Sequence, residues 1–280
     1  MNINTAILEG AKFLRKNYIK YPELDSEILL AKVLNKEREF IILNLHKKIE
    51  DFNLKIYKDL IKQRSLGQPI AYLTEKKNFW NSEFKISKGT LIPRPDTEIL
   101  IEEILKIYKH KDNISILDIG VGSGCILLSI VKEKPGFYGT GIDISNKSIK
   151  LSRINAKKLK IIEKVKFVKT NVDNFCFGKY DLVISNPPYI KSNEIKYLEK
   201  DVSYFEPKSA LDGGLDGTLK ILKIAKKAST LLKTNGKLVL EIGYDQKIKV
   251  INILKKNGFY VNKTIKDYAQ NDRCIISTKI

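Results

Sequence analysis

Histidine occurs twice in 280 residues (His46, His110) and cysteine three times (Cys125, Cys176, Cys274). So few, so scattered, they cannot form a metal-ligand cluster at familiar spacing, and no metal is expected. An odd, dispersed set of cysteines argues against a disulfide framework and fits a reducing cytoplasm. No segment reaches the roughly 18 uninterrupted apolar residues that span a bilayer, so no membrane partner is expected. The first ten residues include Glu9 and lack a basic region followed by an apolar run, so they do not read as a signal peptide. There is no internal repeat and no low-complexity tract.

What is present is 43% hydrophobic and 30% charged, enough for one large domain or two smaller ones. The formal net charge is +19. That balance favours acidic partners such as nucleic acid, the ribosome or an acidic protein surface. Lysine, isoleucine and asparagine are abundant throughout, as an AT-rich coding bias would also produce. Charge alone therefore does not choose a substrate.

The chain reads in three parts. Residues 1–73 carry a helical pattern: in the segment from Asp25 to Leu34, apolar residues recur at three- and four-residue steps. No glycine occurs between Ala11 and Leu66, and no period-2 signal appears. A small helical bundle is expected here. Residues 74–95 place Phe79, Trp80, Phe84 and Ile86 among polar residues, which predicts a hairpin linker turning at Asn81-Ser82. Phe79 and Trp80 are expected in the core. Pro93 and Pro95 then stiffen the chain ahead of a helix starting near Asp96. Residues 96–280 alternate strand and helix: strands over 114–119, 138–144, 165–168, 180–185 and 237–242, with helices over 126–132, 147–159, 219–232 and 247–257. The last two strands, 259–265 and 273–279, have no helix between them, so one is antiparallel. This is an α/β pattern with a mostly parallel sheet covered on both faces.

The sharpest local signal is Gly120-Val121-Gly122-Ser123-Gly124, preceded by Asp118, where a strand passes to a helix. Glycines let backbone N–H groups approach a ligand closely, and a helix N-terminus favours a carboxylate or phosphate. Asp143 follows Gly120 by 23 residues, at the end of the next strand, where a carboxylate can accept both ribose hydroxyls. No Gly-Lys-Ser/Thr follows, which excludes a P-loop. The third glycine comes one residue early for a dinucleotide site. The spacing G-x-G-x-G after Asp118 resembles the first motif of class I (Rossmann-like) methyltransferases, which implies S-adenosyl-L-methionine as cofactor.

The fourth strand of this region ends in Asn186-Pro187-Pro188-Tyr189. Ligands of such sheets bind beyond the carboxyl ends of the strands. The Asn186 side-chain oxygen and the Pro187 carbonyl can each accept one N–H of an NH2 group. That holds a delocalised nitrogen, otherwise a poor nucleophile, in line with a methyl donor. Pro187 and Pro188 fix the carbonyl's aim, and Tyr189 offers a flat face to the planar group. The peptide points to nitrogen methylation. It leaves open whether the nitrogen is a carboxamide or an exocyclic base amine.

Several separate stretches carry a wider resemblance: Asp25-Ser-Glu-Ile-Leu-Leu30, Arg64, Gly67 to Thr74, Phe79-Trp80, Leu91-Ile-Pro-Arg-Pro-Asp-Thr-Glu98, Phe205-Glu-Pro207, Glu241-Ile-Gly243 and Asp272-Arg273. With the glycine loop and Asn186 to Tyr189, they resemble the HemK/PrmC family, the release factor glutamine methyltransferases. The resemblance implies a seven-stranded methyltransferase domain behind a small helical one. It implies methylation of the glutamine amide of a Gly-Gly-Gln motif in peptide chain release factors. These factors would be the partner of a cytoplasmic monomer, with nucleic acid involved at most indirectly. The family's cofactor contact after the third strand, often Asp and an aromatic, falls here on Asn171-Val172, a departure. Arg94 and Glu98 could line the mouth of the site or simply start a helix. A nucleic acid methyltransferase acting on a base amine is the competing reading, separated by the helical front end. Cys125 reads as a small buried helix-start residue.

Overall fold

Asn2 starts the first helix: its side-chain oxygen accepts the Thr5 N–H at 2.8 Å, capping α1 (Ile3–Lys16). Pro22 opens α2 (Pro22–Leu34), with Glu23 and Asp25 in its first turn, and Asn35 ends it in the left-handed conformation at φ +48°. The helices α3 (Arg38–Leu43), α4 (Asp51–Ser65) and α5 (Ile70–Thr74) follow. Their apolar faces meet in one core built on Ile3, Ile7, Leu14, Leu29, Leu30, Ile41 and Tyr57. Asp25 accepts from Arg64 Nε at 2.7 Å, and Arg64 Nη1 donates to the Gln68 carbonyl at 3.1 Å. Both charged side chains are largely withdrawn from water, at 9% and 11% exposure. Removing either partner would leave a buried charge uncompensated.

The structure is a computed structural model describing residues 1–280, which form two compact units. The first comprises residues 1–76 with 199–205, the second residues 77–198 with 206–280. A division into consecutive segments does not provide for the return of residues 199–205 to the helical unit. That return carries no local sequence signal. No helix is long and apolar enough to cross a membrane.

The hairpin pairs β1 (Lys76–Phe79) with β2 (Ser82–Lys85). The turn falls on Trp80-Asn81, one residue earlier than expected, with Trp80 at φ +51°. Phe79 and Phe84 are core residues in edge-to-face contact at 6.2 Å. Trp80 is only half-buried. Its backbone N–H donates to Glu98 at 2.7 Å and its indole N–H to Glu133 at 2.8 Å. Two carboxylates thus hold it in a conformation a bulky residue rarely adopts.

After a 3₁₀ turn at Pro95–Thr97, α6 (Glu98–Ile107) leads into β3 (Ser115–Ile119), α7 (Cys125–Glu133), β4 (Tyr138–Asp143), α8 (Asn146–Lys158), β5 (Val165–Lys169) and β6 (Tyr180–Ser185). Two short strands, β7 (Ile190–Lys191) and β8 (Asp212–Gly214), pair in parallel; α9 (Lys200–Ser203) lies between them in sequence. The chain ends with α10 (Leu219–Leu231), β9 (Leu232–Glu241), α11 (Lys247–Lys256), β10 (Phe259–Lys266) and β11 (Asp272–Lys279). The main sheet has seven strands in the order β10-β11-β9-β6-β3-β4-β5. Only β11 runs against its neighbours, inserted between β9 and β10. The crossovers from β3 step one way, through β4 to β5, and those from β6 step the other way, to β9. Right-handed connections then put α7 and α8 on one face and α10 on the opposite face. The core on the α10 and α11 side includes Leu117, Val183, Ile221, Ala225, Leu240 and Leu254.

Candidate active site

The strand order reverses at β3, whose neighbours are β4 and β6. In an open parallel sheet such a reversal opens a crevice at the carboxyl ends of the strands. A cavity of about 600 Å³ lies there, walled by Ile119 and Gly120 after β3, Asp143 after β4, Thr170 and Asn171 after β5, and Ser185 and Asn186 after β6. Ser185 Oγ donates to the Ile119 carbonyl at 2.6 Å and ties the two central strand ends together.

The glycine loop is anchored behind by N–H bonds from Gly120 and Val121 to the Ile142 carbonyl, at 2.9 and 3.0 Å. Gly120, Gly122 and Gly124 all have positive φ, at 81°, 56° and 85°. A Cβ on Gly120 would touch nothing within 4 Å, so conformation rather than crowding demands glycine there. Asp143 braces the loop. One of its oxygens accepts the Gly122 N–H at 3.0 Å, and the other accepts the Ser145 N–H at 2.8 Å. Its pKa is raised, chiefly by burial, against those two backbone hydrogen bonds.

Beneath the loop sits Asp118, 1% exposed, with neither carboxyl oxygen hydrogen-bonded. Burial, and then the charge of Asp143, push its pKa up to about 7. An unfolded aspartate loses its proton near pH 3.9, about three units lower. The protonated form is therefore the one the fold favours. Its stabilisation is complete below about pH 4 and is lost as pH rises through 7. Asp118→Asn keeps the shape without the titration. We expect the variant to match the wild type near pH 4 and to exceed it by roughly 2–4 kcal/mol at pH 8. Denaturant melts at both values check this; a gap that does not widen with pH would contradict it.

At the β6 end, Asn186 is half-buried and Pro187 buried. Asn186 Nδ2 donates to Thr97 Oγ1 at 3.1 Å, and Thr97 Oγ1 donates to Glu241 at 2.6 Å. The Tyr189 hydroxyl donates to the other Glu241 oxygen at 3.1 Å. Arg273, paired with Asp267 at 3.0 Å, donates to the Tyr189 oxygen at 3.4 Å. Glu241 is 1% exposed. Burial raises its pKa, opposed first by the Thr97 hydrogen bond and then by the Arg273 charge. The backbone of the peptide is clamped as well. Gln246 Nε2 donates to the Tyr189 carbonyl at 2.8 Å, and the Ile190 N–H to the Leu211 carbonyl at 3.0 Å. No protein group donates to Asn186 Oδ1 or to the Pro187 carbonyl.

Of the residues singled out in the sequence, Gly120, Gly122, Asp143, Asn171, Val172, Asn186, Pro187 and Pro188 stand on the cavity wall. Val121, Ser123 and Gly124 do not: Val121 is 4% and Ser123 2% exposed, and Gly124 caps α7. Tyr189 is not among the wall residues; it is partly buried and packs against the sheet core. Asn171 uses its side-chain oxygen to accept the Asp173 N–H at 3.1 Å. Arg94 is paired with Glu206, and Glu98 holds Trp80; neither lines the cavity. Cys125 is buried as the first residue of α7. Thr97, Gly213, Gly217 and Gln246 were missed. The glycine-rich run Asp212-Gly-Gly-Leu-Asp-Gly217 was the one signal for part of them.

A family model described as the PrmC N-terminal domain matches residues 5–74, and one described as the methyltransferase small domain matches residues 95–201. The chain is 38% identical to a release factor glutamine methyltransferase of Clostridium acetobutylicum, over 100% of this chain and 99% of that protein. It is 39% identical to one of Buchnera aphidicola subsp. Schizaphis graminum, over 100% of both. Among solved structures, a methyltransferase from Pyrococcus furiosus superposes with a TM-score of 0.51 at 20% identity, covering 70% of this chain and 88% of that one. That likeness shows the fold.

Proposed function

The chain belongs to the release factor glutamine methyltransferase family, and from this we infer that it transfers a methyl group from S-adenosylmethionine to the side-chain nitrogen of a release factor glutamine. One observation carries the reading: the likeness covers 100% of the chain and includes the helical front end. The glutamine is that of a Gly-Gly-Gln motif, the reaction is cytoplasmic, and residues 1–73 recognise the protein substrate.

The cavity suits the cofactor. Each Asp143 oxygen gives one acceptor site to a backbone N–H and keeps others for the two hydroxyls of a ribose. Gly120 opens directly onto free space. Gly120, Gly122, Asp143, Asn171 and Val172 would hold the nucleoside and its amino-acid tail. When bound, S-adenosylmethionine supplies a methyl group on a positively charged sulfur.

The chain's own part is to hold the acceptor nitrogen. Asn186 Oδ1 and the Pro187 carbonyl each accept one N–H of the glutamine amide. Their pull localises density on a nitrogen that conjugation otherwise drains, and fixes its direction of attack. Consecutive prolines keep the carbonyl from swinging away. The wall carries no histidine, cysteine or tyrosine to act as base. None is needed, because an N-alkylated amide cation gives up its proton to water.

Incubating the enzyme with labelled S-adenosylmethionine, release factor and ribosomal RNA tests the reading by mass spectrometry. A mass gain of one methyl on the release factor glutamine is expected; label on RNA bases alone would overturn it. Asp143→Ala should weaken binding of S-adenosylhomocysteine by about 1–3 kcal/mol in calorimetry, the scale for hydrogen bonds to a charged group. Unchanged affinity would refute the ribose assignment.

A further inference from the structure

We propose that Glu241 and Thr97 are positioning residues that decide which end of the Asn186 carboxamide faces the substrate. The proposal rests on the glutamine-methylating reading above. A side-chain amide can present either its oxygen or its NH2 to the cavity, and only the oxygen can accept a substrate N–H. Nothing in Asn186 itself makes that choice.

The choice is made by a directed chain of hydrogen bonds. Arg273 can only donate, and it is held by Asp267. The Tyr189 oxygen accepts from Arg273 at 3.4 Å, so its single proton is free for Glu241 at 3.1 Å. The other Glu241 oxygen takes the Thr97 proton at 2.6 Å. Both oxygens of the carboxylate are thus engaged as acceptors. Thr97, its proton committed, offers Asn186 only lone pairs. Asn186 must answer with its NH2, at 3.1 Å, and its oxygen is left for the cavity. Thr97 and Glu241 are 2% and 1% exposed, so water does not compete for these bonds.

Substitutions that keep shape but change polarity test this. In Glu241→Gln, the amide can donate to Thr97, whose proton then turns toward Asn186 and favours the inverted carboxamide. In Thr97→Val, a methyl replaces the only acceptor for Asn186 Nδ2. With the full-length enzyme and release factor, both variants should lose about ten- to a hundredfold in kcat, the loss expected from one misdirected hydrogen bond. KM for the release factor and affinity for S-adenosylhomocysteine should stay within about threefold. Thr97→Ser, which restores the hydroxyl, should recover kcat to within about threefold of wild type. The Asn186 side-chain NH2 resonance, read by NMR with ¹⁵N-asparagine labelling, should move in Thr97→Val and Glu241→Gln and not in Thr97→Ser. Wild-type kcat in a folded Thr97→Val or Glu241→Gln overturns the proposal, as does a Thr97→Ser as impaired as Thr97→Val. Should Thr97→Val not fold, Glu241→Gln against Thr97→Ser decides alone. An active wild type, an inactive Asn186→Ala and silent Glu241 and Thr97 variants would remove only the positioning role. A wild type that leaves release factor glutamine unmethylated removes the functional reading itself.

Discussion

Asn186→Ala is expected to lower kcat for methyl transfer by about 10²–10³-fold, the loss seen when one preorganised polar contact to a reacting group is removed. Affinity for S-adenosylhomocysteine should change by less than about threefold. The reasoning is local. Alanine removes the acceptor for one N–H of the glutamine amide and leaves the Pro187 carbonyl holding the other. The nitrogen can then rotate about that single contact, and its lone pair loses its aim. The cofactor side of the cavity, at Gly120, Gly122 and Asp143, is built on other strand ends and stays intact. Asn186→Asp should be no better than alanine despite its matching shape. Thr97 gives its proton to Glu241, so a carboxylate at position 186 would face lone pairs instead of a donor. It would also put a second negative charge close to a buried glutamate. Loss of transfer together with loss of cofactor binding would assign Asn186 to the fold instead.

The alternation of strands and helices beyond Ile114 was legible because each element announces itself locally. Strands read as short apolar runs, and Gly120 and Gly258 stand at turns that need positive φ. The cavity-wall residues Asp143, Asn186 and Pro187 were legible for a related reason: each stands at the carboxyl end of a strand, a place visible in the strand pattern alone. What was not legible is whatever depends on distant partners. Thr97 and Glu241 are 144 residues apart, Thr97 and Asn186 89. No periodicity or spacing relates such positions. The same holds for Leu91 to Glu98, which stood out as a motif without a visible reason. In the fold, Arg94 pairs with Glu206, Thr97 with Glu241, and Glu98 with the Trp80 backbone. Its polar residues are ties to remote parts of the second unit. Tyr189 has a tie of the same kind: its hydroxyl donates to Glu241, 52 residues away, and its ring packs against the sheet core.

The same distance dependence makes Gly213 a sensitive position for a reason that its local glycine-rich run does not show. A Cβ built there lies 2.5 Å from the Gly217 carbonyl oxygen, 2.8 Å from the Pro188 carbonyl oxygen and 2.8 Å from the Tyr189 Cα. All three are backbone atoms, so no side-chain rotation can relieve the contact. The segment that must yield cannot easily withdraw. Gln246 Nε2 holds the Tyr189 carbonyl at 2.8 Å and is itself oriented by the Gly243 N–H, which donates to Gln246 Oε1 at 2.9 Å. Displacement therefore passes along the chain to the Pro187 carbonyl, one of the two acceptors of the substrate amide. A shift near 1 Å at such a point costs on the order of 10²-fold in rate. Gly213→Ala should accordingly lose about a hundredfold in kcat. Overpacking of this kind should also cost about 1–3 kcal/mol of stability. Affinity for S-adenosylhomocysteine should hold, since the glycine loop is not in the path of the shift. Leu215→Ala, at a side chain 93% exposed two residues away, is the matched control and should leave both rate and stability unchanged. Steady-state kinetics beside denaturant melts separate the outcomes. A Gly213→Ala enzyme that is destabilised yet turns over at the wild-type rate would mean that the aim of the Pro187 carbonyl does not govern transfer.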